Sequence, residues 1–84
     1  MNQLGAPPAF LDATQSQAWA DIVAAAPDVL ISSDRIIMEL AARSLAGWRS
    51  GERSKVWLRL NYRLLGKLLM PMAARRRLMF GYWH

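Results

Sequence analysis

The sequence predicts an all-α fold, a small bundle of three main helices plus a short C-terminal one. Two observations predict it. Apolar residues recur at helical spacing and nowhere alternate with polar ones as a half-buried strand requires. Prolines and glycines fall between the periodic stretches, at Pro27, Gly51, Pro71 and Gly81, so they divide the chain into helix-sized pieces.

Residues 1–11 read as an extended lead-in, because Pro7 and Pro8 forbid helix. A single helical domain then runs over residues 12–84. Asp12 or Thr14 can cap its first helix, and Thr14 with Gln17 fits a capping box. Trp19, Ile22, Val23 and Ala26 form one apolar stripe, and Pro27 stops the helix by pushing Ala26 out of the helical region. Ser32 or Ser33 caps the second helix, with Asp34 in its first turn suiting the positive end of the dipole. Ile37, Leu40, Ala41, Ser44, Leu45 and Trp48 share one face of that helix. Arg35, Glu39, Arg43 and Arg49 share the other, and Gly51 sits where a C-terminal cap belongs. The third helix starts at Ser54 and reaches about Leu69, where Pro71 closes it. The fourth covers about Met72 to Phe80.

At 84 residues the chain has room for one domain with a modest core. It has no cysteine, so neither a disulfide nor a thiolate metal site is available. Its hydrophobic fraction of 54% with four tryptophans is not that of a disordered chain. Small domains without staples often gain stability by assembling. No apolar run reaches the roughly 18 residues that a membrane span needs, and the N-terminus lacks the pattern of a secretory leader. A soluble, cytoplasmic protein is expected.

Charge is divided unevenly. Residues 1–52 hold all six acids against three bases, a net of −3, whereas residues 53–84 hold eight bases and no acid, a net of +8. Such asymmetry points to a polyanion partner for the C-terminal part. Within the third helix Lys55, Arg59, Arg63 and Lys67 stand four apart and form one winding stripe. The stripe is either a solvated outer face that meets acids of the first half, or a phosphate-contacting face. Solvated faces usually mix signs, so the missing acids favour phosphate. Arg75, Arg76 and Arg77 follow on three sides of the fourth helix and supply planar, permanently charged forks. These seven residues are the candidate DNA contacts.

The rest of the third helix is apolar over an arc of roughly 200°, about twice what a surface helix needs. The side carrying Leu58, Leu65 and Leu69 is therefore the expected contact with another copy or a partner. Trp57, Tyr62, Phe80, Tyr82 and Trp83 could stack on bases, although aromatics at helical spacing are more often core. No catalytic set is legible. The lone histidine is the terminal His84, no glycine-rich phosphate loop is present, and Asp34 and Glu39 lie on poorly matched sides of one helix without a third ligand. No enzyme activity, metal or cofactor is expected.

Three stretches resemble phage terminase small subunits. "SDRIIMELAARSLAGWRSG" looks like the family's central helix, and "PPAFLDATQSQAWADIV" its proline-rich lead-in and tryptophan-bearing first helix. "LLGKLLMPMAARRRL" is similar to a C-terminal signature that reads approximately Leu-Leu-Gly-Lys-Leu-Gly-Met-Thr-Pro-Ala-Asp-Arg-Ser-Arg-Leu. Leu64, Leu65, Gly66, Lys67, Leu68, Met70, Ala73, Arg75, Arg77 and Leu78 match it in register. Leu69 stands where the signature has glycine, Pro71-Met72 where it has Thr-Pro, and Ala74 where it has the acid. The turn should survive these departures, since proline still stops one helix and suits the start of the next. The resemblance implies a non-catalytic, oligomeric adaptor that binds double-stranded viral DNA in the host bacterial cytoplasm and acts with the large terminase subunit. It does not carry individual contact residues over, so the DNA-facing set rests on charge alone. A helical protein-interaction module without DNA affinity is the alternative. A third reading is a basic amphipathic helix at a membrane surface, which the cap signals and earlier helices disfavour.

Overall fold

The computed structural model describes residues 6–25 and 32–80, and these residues form helices joined by short turns, with no strand among them. Helix α1 covers Ala13–Ala25. A short 3-10 turn, Ser32–Asp34, leads into α2, Arg35–Arg49. Helix α3 covers Lys55–Lys67 and α4 covers Met72–Phe80. The expected roles of Ala26 and Pro27 in ending α1, and of Gly81 in ending α4, lie outside the described residues.

Helix α1 is capped by Asp12 rather than Thr14. The Asp12 carboxylate accepts from the Gln15 N–H at 2.7 Å, and the Gln15 side-chain oxygen accepts from the Asp12 N–H at 3.1 Å. This is a reciprocal capping box two residues ahead of the Thr14–Gln17 pair. Gln17 instead donates to the Asp21 carboxylate at 2.9 Å. The earlier start follows from Leu11, which is buried in the core and fixes the chain just before the cap. Residues 6–11, the described part of the lead-in, are accordingly not simply extended. They turn at Pro8 to Leu11, where the Leu11 N–H meets the Pro8 carbonyl at 3.2 Å. They also lie against α2, with Arg35 donating to the Ala6 carbonyl and Arg43 stacked over Phe10.

Helix α2 is the centre of the molecule, packing against α1, α3 and α4. Met38, Ala41, Ala42, Ser44, Leu45, Ala46 and Trp48 are all buried. Its small residues allow close approach: a Cβ added at Gly47 would come within 3.3 Å of the Trp57 ring. Asp34, not a serine, holds its N-cap position, and no side chain caps it. At its other end Gly51 adopts φ +120°, while the Glu52 N–H reaches the Gly47 carbonyl and the Gly51 N–H the Trp48 carbonyl. That is a Schellman closure, which needs a residue free to adopt positive φ.

Ser54 caps α3 as its sequence position suggests, its hydroxyl accepting from the Trp57 N–H at 3.2 Å. The helix ends at Lys67 in a second Schellman closure, with Met70 N–H to the Leu65 carbonyl and Leu69 N–H to the Gly66 carbonyl. Here the left-handed residue is Leu69, φ +62°. It stands where the terminase-like signature has glycine. A leucine in this region costs about 1–2 kcal/mol, and Leu69 is largely exposed, so its side chain returns little by packing. Leu69→Gly is expected to raise the unfolding free energy by about 1 kcal/mol in urea titrations followed by circular dichroism; an unchanged or lower midpoint would contradict this. Helix α4 follows directly from Pro71, whose carbonyl accepts from the Arg75 N–H at 3.1 Å, and it buries Ala74, Leu78 and Met79.

Two side chains tie α4 down. The Trp48 indole N–H donates to the Met79 carbonyl at 2.7 Å, and its ring meets Phe80 edge-to-face at 5.7 Å. Arg49 donates to the Leu78 carbonyl through Nε and Nη2 and pairs with Asp21 of α1 at 2.6 Å. One guanidinium therefore links three helices.

Candidate nucleic-acid interface

Helix α3 turns its polar and apolar residues to opposite sides because charges recur every fourth residue and leucines fill the facing positions. Asn61, Leu64, Leu65 and, just past the helix, Leu68 are buried against α2 and α4. Lys55, Arg59, Arg63 and Lys67 all project outward and are exposed. At 1.5 Å per residue the stripe is roughly 18 Å long, longer than the roughly 12 Å width of a DNA major groove. The helix contains no acid, and none of the four cations forms an ion pair among the described residues. The reading in which the stripe meets acids of the first half is thus without a partner among them.

The arginines of α4 divide. Arg76 is exposed. Arg77 is exposed at the edge of a cleft of about 220 Å³ that Asp21, Arg49 and Leu78 also line. Arg75 turns inward: its Nε donates to the Met70 carbonyl at 3.0 Å and its Nη1 to the Tyr62 carbonyl at 3.4 Å, with the guanidinium 5.9 Å from the Tyr62 ring centre. It thereby ties the start of α4 to the turn after α3 at Met70 and to the last turns of α3 at Tyr62, near a helix C-terminus where a cation is favoured. Of the seven cations it is the one that the fold itself engages in this way.

The expected oligomer contact is corrected. Leu65 is 0% exposed and belongs to the core, and Leu58 is half-buried against it. Of the three, Leu69 alone is open to solvent. The broad apolar arc of α3 exists because α2 covers one flank and α4 lies against the other. The exposed apolar residues of the helix are instead Val56 and Leu60. The aromatics serve packing: Trp57 and Tyr62 rest on the core, and Trp48 and Phe80 hold α4. Tyr82 and Trp83 lie outside the described residues.

A feature not foreseen is an apolar groove of about 230 Å³ between α2 and α3, lined by Leu40, Arg43, Ser44, Trp57, Leu60 and Leu64. In the sequence Leu40 reads only as a member of the apolar face of its helix. Pairing the two helices as a hairpin is what sets Leu40 and Leu60 at the mouth of a groove with Leu64 in its wall.

No family model, curated protein or solved structure matches the chain. Among the described residues no group of three potential ligands could hold a metal ion, and no helix is long and apolar enough to cross a membrane.

Proposed function

We propose that the chain is a non-catalytic adaptor of the phage terminase small-subunit kind. It holds double-stranded DNA through its phosphates with the outer face of α3, and acts as a homo-oligomer with the large terminase subunit. The observation that carries the DNA contact is the unpaired stripe Lys55, Arg59, Arg63 and Lys67, exposed on the side of α3 away from the core. Four like charges at this spacing repel one another by roughly 0.2–0.5 kcal/mol per neighbouring pair, and a polyanion relieves that repulsion. The resemblance of residues 64–78 to the family signature supports the choice of adaptor. So does the positive φ of Leu69 at the position the signature gives to glycine.

Phosphate binding releases condensed counterions, so affinity falls with salt by a slope of roughly −0.9 per neutralised phosphate. With four cations engaged, the logarithm of affinity for duplex DNA is expected to fall with a slope of roughly −3 to −4 against the logarithm of salt concentration. Fluorescence anisotropy with a labelled duplex measures this. A flat profile, or no binding at low salt, would leave a protein-interaction module as the better reading.

A further inference from the structure

We propose that the groove between α2 and α3 is a docking site for an acidic amphipathic helix of another protein. It borders the basic face of α3, from which Arg63 and Lys67 reach its rim, and does not depend on that face binding DNA. The groove is apolar at its base, where Trp57 lies against Gly47, and Leu40 and Leu60 at its mouth are 53% and 39% exposed. On α2 the exposed strip continues to Ile36, which is 73% exposed. From Ile36 to Gly47 it runs roughly 17 Å, three turns of helix. An occupant of that length with leucines on one face fits the helix-in-groove mode of recognition.

Charge selects the occupant. Arg43 belongs to the lining, and no acid does. Arg63 and Lys67, both exposed, follow Leu60 and Leu64 by three residues on α3 and so stand one turn along the same flank. Glu39 precedes Leu40 but is turned about 100° away from it. An apolar floor with a cationic rim is complementary to a helix whose leucine stripe is flanked by glutamates or aspartates. A second copy fits poorly. An isologous contact would bring the same cationic patch, Arg43, Arg63 and Lys67, together from both copies, and α1, the acid-bearing helix without bases, has its Asp21 already paired with Arg49.

The test uses the full chain and a twelve-residue helical peptide with leucines on one face and glutamates beside them. Its counterpart has lysine at every glutamate. The glutamate peptide is expected to bind at least roughly tenfold more tightly, and to shift the Trp57 indole signal in heteronuclear spectra. Leu40→Ser with Leu60→Ser, both at exposed positions, should weaken that binding roughly tenfold or more while leaving duplex DNA affinity within about twofold. Equal affinity for the two peptides, no measurable binding, or an unchanged affinity in the double variant overturns the proposal. So does self-association in sedimentation velocity that the same two substitutions abolish, because a second copy would then be the occupant.

Discussion

Replacing Trp48 with alanine is expected to lower the unfolding free energy by about 4 kcal/mol, the range for truncating a buried large aromatic. Trp48 is 4% exposed on the central helix. Its loss opens a cavity under α4, orphans the Met79 carbonyl and removes the edge-to-face contact with Phe80. It also strips the ring over which the Arg53 guanidinium sits at 4.5 Å. A domain of this size has roughly 4–13 kcal/mol in total, so the variant should be partly unfolded at physiological temperature. Trp48→Phe keeps most of the volume and forfeits the N–H donor, for about 1–2 kcal/mol. Urea unfolding followed by far-ultraviolet circular dichroism separates the two. A loss below about 2 kcal/mol for the alanine variant would mean that α4 is not anchored through this side chain.

The opposite pattern is expected for Arg59→Glu combined with Arg63→Glu. Both side chains are exposed and make no ion pair among the described residues, so the fold should be unaffected. Stability is expected to hold or to rise by up to about 1–2 kcal/mol, since Lys55 and Lys67 each gain an opposite charge one turn away in place of a like one while one repulsion remains. Duplex DNA affinity, by contrast, should fall at least about a hundredfold at low salt, and the salt slope should shrink by roughly two. A variant that folds normally and still binds the duplex as tightly would place the phosphate contacts elsewhere.

The helices and their ends were largely legible because proline, glycine and cap residues act locally: Ser54, Gly51 and Pro71 do what their side chains dictate wherever they occur. The cap of α1 was not settled by such rules. Asp12–Gln15 and Thr14–Gln17 fit the same pattern, and the burial of Leu11 decides between them. That α2 lies at the centre is not legible from the number of large apolar residues. Counting large apolar residues favours α3, but interior position at a helix crossing goes to the smallest side chains, and Ala41, Ala42, Ala46 and Gly47 are on α2. The basic face was legible from spacing and the absence of acids. The inward turn of Arg75 was not, because its partners, the Met70 and Tyr62 carbonyls, come within reach only when α4 folds back against the end of α3. The α2–α3 groove belongs to neither helix alone.

Helix α3 packs against α2 and α4 and does not touch α1. Asp12 at the cap of α1 and Asp21 within it are thus held from the cations of α3 by the thickness of α2, and positive charge gathers on one side of the molecule. In the field of a polyanion such a body is turned before it arrives, basic side leading. The fraction of collisions that are productive is then set in solution rather than at contact, and it declines as added ions shorten the reach of the field.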